Sequence, residues 1–153
     1  MILTGYRIAR AANAASIWSG IGARTYGGRW NSKGVSVVYT AESRSLAAME
    51  QLVHLIKPRA LRGFVLASIS FDASGIRRID PAELPAGWDD PVAPAFLKRM
   101  GDDWIEAGKD LVLAVPSAVI AGEWNYLLNP AHRGFAGLAK SRPEPFVFDR
   151  RLG

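Results

Sequence analysis

Between Gly27 and Glu50 the chain passes through a glycine-rich turn, a β-branched strand and an amphipathic helix in immediate succession. Gly27-Gly28 permits backbone angles and close approaches that other residues resist, so the turn is the expected place for a tight reversal. Val35 to Thr40 is apolar and β-branched, the pattern of a buried strand. Leu46, Met49, Val53 and Ile56 recur at helical spacing, which predicts a helix over Ser43–Ile56, ended by Lys57-Pro58 because the residue before proline avoids the helical region. Turn, strand and helix therefore meet at one corner and bring Arg29, Tyr39 and Glu50 into one neighbourhood.

The rest of the chain gives more strands than helices. Strands are predicted at Tyr6–Ala9, Phe64–Phe71, Ile76–Ile79, Leu111–Val115, Glu123–Leu128 and Phe146–Phe148. Ala11–Trp18 is Ala-rich and reads as helical, and Gly20–Gly28 reads as an irregular loop. A second long helix is predicted over Ala95–Ala107, with Phe96, Met100, Trp104 and Ala107 on one face. Between them, Asp80–Pro94 holds four of the nine prolines and is expected to be a surface excursion. Helices that interrupt strands irregularly favour an α+β fold over a regular βαβ array. No internal repeat or linker breaks the pattern, so residues 1–153 are expected to form one domain.

Composition narrows the function. There is no cysteine, which excludes disulfides and Cys-based zinc sites, and only two histidines, so no metal is expected. The start lacks the basic and apolar regions of a signal peptide, and no apolar run approaches the ~20 residues of a membrane span. A cytoplasmic protein without a membrane partner is the expectation. The net charge of +5 invites a polyanionic partner, yet the basic residues are scattered in pairs such as Arg77-Arg78, Lys98-Arg99 and Arg150-Arg151. A basic enzyme acting on a phosphorylated substrate suits that charge at least as well as a nucleic-acid binder.

Taken singly, the three residues of the Gly27–Glu50 segment have ordinary explanations. Arg29 is either a solvated turn residue or a two-pronged ligand for a diphosphate or carboxylate, a grip that lysine cannot imitate. Tyr39 is either a core tyrosine or a ring that stacks on a flat ligand. A glutamate at the edge of an apolar helix face more often packs its stem and sends its head to water than faces a cleft. As a set they suit a ligand with a diphosphate, an aromatic ring and a sugar, and NAD is such a ligand. Breaking its glycosidic bond develops positive charge on the ribose, as in glycoside hydrolysis. A carboxylate facing that charge stabilises the transition state more than the substrate.

Six blocks in order extend the argument: Tyr6-Arg7-Ile8, Gly27-Gly28-Arg29-Trp30-Asn31, Val38-Tyr39-Thr40, Leu46-Ala47-Ala48-Met49-Glu50, Val115-Pro116-Ser117-Ala118-Val119 and Asn125-Tyr126-Leu127-Leu128-Asn129-Pro130-Ala131-His132. Together they cover nearly the whole chain and resemble the RES domain, found as the toxin half of bacterial toxin–antitoxin pairs. The resemblance implies an ADP-ribosyltransferase-like α+β fold, with small split sheets and flanking helices around an NAD cleft. It implies consumption of NAD by hydrolysis, phosphorolysis or ADP-ribosyl transfer to a protein acceptor. The arginine, glutamate and serine of the family name fall at Arg29, Glu50 and Ser117, with Tyr39 as a further catalytic position. Ser117 is then expected to hydrogen-bond in the cleft near Glu50, whereas the Pro116-Ser117 pair by itself suggests a helix cap or turn serine; Asn125 is expected to support the site, and Arg7 to act as a second diphosphate ligand. The implied partner is a small helical DNA-binding antitoxin that covers or plugs the cleft, with DNA reached only through it; a homodimer is also compatible. One departure is Arg133, where the family often has proline after the histidine of the Asn-Pro-x-His block. His132 and His54 are expected to be structural.

Two other readings compete. A nucleic-acid-binding module or RNA-targeting toxin would need a continuous basic stripe with exposed aromatics, whereas Trp18, Trp30, Trp88, Trp104 and Trp124 lie apart in apolar or glycine-rich segments. A catalytically dead scaffold would not need the Arg29, Tyr39, Glu50 and Ser117 set.

Overall fold

The computed structural model of the chain describes residues 1–55 and 61–152. Its elements in order are β1 (Ile2–Arg10), α1 (Ile21–Tyr26), β2 (Val38–Ala41), α2 (Arg44–His54), β3 (Phe64–Asp72), β4 (Ile76–Arg78), α3 (Ala95–Ala107), β5 (Val112–Pro116), β6 (Trp124–Leu128), β7 (Ala139–Lys140) and β8 (Glu144–Phe146). The fold is α+β, as expected. The expected end of α2 at Ile56 and Lys57-Pro58 lies outside the described residues.

The strands form one hydrogen-bonded sheet in the order β4-β5-β6-β2-β1-β3-β7, with β8 also on β3. It consists of two halves. β1 and β3 pair along their whole length, from Ile2↔Asp72 to Arg10↔Phe64, while β2, β5 and β6 form the other half. The halves join through β1 and β2 at one register pair, Tyr6↔Ala41. Gly5 makes even this join possible, because a Cβ there would come within 2.1 Å of the Thr40 hydroxyl.

Period-2 alternation assigns each strand two faces. Leu113, Val115 and Leu127 pack with Trp30, Val37, Leu97 and Trp104 on one side. Val112, Ala114, Tyr126 and Leu128 pack with Val38, Ile69, Phe71 and Phe135 on the other. On this second side Phe71 of β3 meets Tyr126 of β6 edge to face at 5.2 Å, so apolar packing closes the seam beneath. A third cluster seats Leu46 and Ala47 of α2 against Ile8, Ala41, Phe64 and Phe148. The seam is thus sealed on one face of the sheet.

Several local expectations shift. Ser43, placed inside the predicted helix, instead caps α2, accepting from the Leu46 N–H at 3.1 Å. The buried face of α2, however, runs through Leu46 and Ala47 toward Glu50, and Met49 and Val53 are exposed at 42% and 56%. In α3, whose bounds match, the buried stripe is Leu97, Gly101 and Trp104. Ala11–Ser16 is a 3-10 segment, the Gly20–Gly28 stretch contains α1, and the last strand ends at Phe146 instead of spanning Phe146–Phe148. The 80–94 excursion carries only one 3-10 turn, Pro81–Glu83.

Candidate active site

A cleft of about 660 Å³ opens above the seam, within the usual range for small-molecule sites. It is lined by Tyr6, Arg7 and Ile8 from β1, by the Gly27–Trp30 turn, by Tyr39 and Ala41 from β2, by Ala47 and Glu50 from α2 and by Asn125 and Leu127 from β6. Pro91 and Ala93 of the excursion and Ala118 and Val119 of the β5–β6 loop complete the wall. Arg7, Arg29, Tyr39, Glu50 and Asn125 therefore meet in one place, although they are distant in sequence.

The Gly27–Asn31 turn is built by a network that the sequence does not display. Asn31 is fully buried; its amide nitrogen donates to the Ala23, Ser32 and Val35 carbonyls at 2.9, 3.0 and 3.0 Å. Its Oδ1 accepts from the Tyr39 hydroxyl at 2.6 Å, and that hydroxyl accepts from the Trp30 N–H at 3.0 Å. A Cβ on Gly28 would lie 2.6 Å from the Tyr39 hydroxyl, so only glycine fits there. Tyr39 is thus a strut between β2 and the turn, with its ring on the cleft wall. Its phenol is pushed well above the ordinary range, chiefly by burial, with the Asp102 charge adding to the rise and the Trp30 N–H and Arg29 opposing it.

Arg29 leaves this turn and ties down the proline-rich wall. Its Nη1 donates to the Trp88 carbonyl at 3.1 Å, and its Nη2 to the Asp90 and Pro91 carbonyls at 2.8 and 3.3 Å. Arg7 bridges the halves of the sheet where β1 and β2 diverge, donating from Nη1 to the Tyr39 carbonyl at 3.2 Å. Its buried Nε has no hydrogen-bond partner among the described residues. Burial lowers the Arg7 pKa from its ordinary value. Among the described residues neither arginine is paired with a carboxylate. Two guanidiniums outside any such ion pair at one cleft suit an anionic ligand.

Glu50 faces the cleft from α2, and its Oε1 accepts from Asn125 Nδ2 at 2.6 Å. The same Asn125 nitrogen donates to the Thr40 carbonyl at 3.2 Å, which fixes the amide relative to β2. Burial pushes the Glu50 pKa up from 4.5 to about 7; the Asn125 donor lowers it, Glu123 raises it and Arg29 lowers it. A carboxylate poised near neutrality in a cleft is a mark of functional sites.

Ser117 corrects one expectation. It does not hydrogen-bond near Glu50; its buried hydroxyl accepts from the Val119 and Ile120 N–H groups at 3.1 and 3.2 Å. The proline before it ends β5 and the hydroxyl folds the next turn, so Ser117 shapes the loop that puts Ala118 and Val119 on the cleft wall. His132 is engaged locally: Nδ1 accepts from the Gly134 N–H at 3.0 Å and Nε2 bonds the Lys109 carbonyl at 3.2 Å. His54 ends α2 at the edge of the cleft. Among the described residues no three acidic or histidine side chains gather as metal ligands would, and no helix is long and apolar enough to cross a membrane.

The α+β domain thus parts its sheet over a cleft that holds Arg7, Arg29, Tyr39 and Glu50. Residues 4–149 match the RES domain, and the chain belongs to that family. A protein named Toxin Res from Yersinia enterocolitica serotype O:8 / biotype 1B is 43% identical over 96% of this chain and 97% of its own length. The Prs ADP-ribosylating toxin of Sphingobium sp. (strain YBL2) is 34% identical over 99% of this chain and 98% of its own. The M. tuberculosis MbcT–MbcA toxin–antitoxin complex contains a chain that superposes with a TM-score of 0.78 at 19% identity. That match covers 96% of this chain and 85% of the other and shows the shared fold.

Proposed function

We propose that this protein is the toxin of a toxin–antitoxin pair and that its cleft binds NAD and breaks the nicotinamide–ribose bond. Glu50 carries the reading. Among the described residues it is the one carboxylate on the cleft wall, held by Asn125, in a cleft that also holds two arginines outside any ion pair. The diphosphate would lie against Arg7 and Arg29, the nicotinamide ring against Tyr39, and the ribose hydroxyls on Glu50. The N-glycosidic bond then breaks with its electron pair going to nicotinamide, which leaves neutral, and ionised Glu50 stabilises the ribosyl cation. Water, phosphate or a protein side chain captures that cation and gives up a proton. Ser117 serves the site by folding the Ala118–Val119 wall.

The toxin names of the full-length relatives support the biological role, and the name of the Sphingobium protein supports ADP-ribosyl chemistry. The complex that contains the structural neighbour supports an antitoxin partner. We take that partner to be a small helical DNA-binding protein, and the compartment to be the cytoplasm.

Purified protein incubated with NAD, with and without phosphate, tests the reading through mass-resolved products. Nicotinamide release that disappears in a folded Glu50→Ala variant is expected, and the companion product identifies the acceptor. No release of nicotinamide, even with cell extract added, would overturn it; salt-dependent RNA or DNA binding by the same protein would then favour a nucleic-acid function.

A further inference from the structure

We propose that α3 is the positioning element of the cleft: Lys98 and Asp102 grip the two ends of the Gly28–Ser32 turn and so hold Arg29 at the wall. This deepens the NAD reading and rests on it for the consequence in turnover, but not for the contact itself. Lys98 Nζ donates to the Gly28 carbonyl and, at 3.4 Å, to the Asn31 carbonyl. One helical turn on, Asp102 Oδ1 accepts from the Ser32 N–H at 2.9 Å. Between them Gly101 lets the helix touch the turn, since a Cβ there would fall 1.6 Å from the Trp30 carbonyl oxygen. Residues 98, 101 and 102 share one helical face by their spacing. That face is docked onto the backbone of the arginine-bearing turn on both flanks of Arg29.

On the same side the turn is also anchored by Trp30, which is buried with Leu97 and Trp104 of α3. Within it Gly28 and Asn31 form an isolated bridge, with N–H···O distances of 3.0 and 3.4 Å, the second long. Lys98 satisfies the carbonyls of both bridge residues, and its charge makes those bonds stronger than neutral ones. Asp102 fixes the next amide. Neither side chain lines the cleft, so each acts through Arg29 and the turn rather than on a ligand.

The test compares wild type, Lys98→Met, Lys98→Arg, Arg29→Ala and the Arg29→Ala/Lys98→Met double variant. Lys98→Met is expected to raise the KM for NAD, or the Kd for ADP-ribose measured by titration calorimetry, about tenfold. Lys98→Arg, which keeps a cationic donor, should restore most of that loss. In the Arg29→Ala background, Lys98→Met should add less than about twofold, because a residue acting through Arg29 has nothing left to position. Independent factors in the two backgrounds would overturn the proposal, as would an unchanged KM and Kd in Lys98→Met. Hydrogen exchange separates this outcome from failure of the NAD reading. Amides of residues 28–32 should exchange faster in folded Lys98→Met than in wild type. Unchanged exchange sinks the positioning role even if wild type consumes NAD. Faster exchange without NAD consumption or ADP-ribose binding by wild type sinks the substrate and leaves the positioning role standing.

Discussion

Asn125 and Glu50 are joined at 2.6 Å across the floor of the cleft, amide nitrogen to carboxylate oxygen. β6 and α2 thereby fix the position and the charge of the same carboxylate. Burial favours the protonated acid, and the Asn125 donor favours the anion.

The balance predicts a pH profile. The proposed reaction needs ionised Glu50, so kcat/KM for NAD should rise with pH and reach half its plateau near pH 7. Asn125→Ala removes a group that lowers the Glu50 pKa, and the midpoint should move to higher pH. Initial rates of nicotinamide release between pH 5.5 and 9 measure both; a flat profile in wild type would remove Glu50 from the rate-determining chemistry.

Stability should show the same group with the opposite slope. The folded-state pKa of Glu50 lies above its ordinary value of 4.5, so the folded protein holds this proton more tightly than the unfolded chain. As pH rises from 4.5 through about 7, the unfolded chain loses the proton first and the contribution of Glu50 to stability falls. The loss is on the order of 3 kcal/mol above pH 7. Glu50→Gln keeps an acceptor for Asn125 without the charge. Its Tm should exceed that of wild type at pH 8 and match it near pH 4.5, while nicotinamide release falls at least about a hundredfold. Equal melting curves at pH 8 would contradict the burial argument.

Tyr39→Phe separates the ring from the hydroxyl. The ring stays on the cleft wall, but the Trp30 N–H and Asn31 Oδ1 lose their shared partner. A loss of about 2 kcal/mol in urea unfolding is expected. Because the turn carries Arg29, the KM for NAD should rise more than kcat falls; an unaltered protein would mean that water replaces the hydroxyl at no cost.

Much of this molecule was legible in its sequence where neighbours along the chain decide the outcome. α3 runs from Ala95 to Ala107, and the turn, strand and helix between Gly27 and Glu50 do converge. Hydrophobic periodicity misled in α2, because it ranks Met49 and Val53 above Ala47. The cleft instead turns the small residue and the carboxylate inward and leaves the larger apolar side chains exposed. α1 was missed because glycine at positions 20, 22 and 27 disguises a helix bounded by glycines with φ of 72° and 73°. β7 has two residues and exists only through its pairing with β3. The roles of Lys98 and Asp102 lie in contacts with residues about seventy positions away, for which local pattern carries no signal. Ser117 shows the reverse: a Pro-Ser turn was visible locally, and local bonding decided its hydroxyl.

The narrow join between β1 and β2 bears on what a bound ligand does to the protein. A sheet held at its middle by one register pair is expected to flex there on its open face, whatever the packing of Phe71 on Tyr126 secures beneath. A molecule that touches Tyr6 and Arg7 on one leaf and Tyr39 on the other would work as a clasp across that hinge. Occupancy, by substrate or by a protein segment lying in the same furrow, should therefore stiffen the whole domain and not only the loops around the mouth. Antagonist and fuel would then be alike in mechanical effect, and differ in whether they present Glu50 with a bond to break.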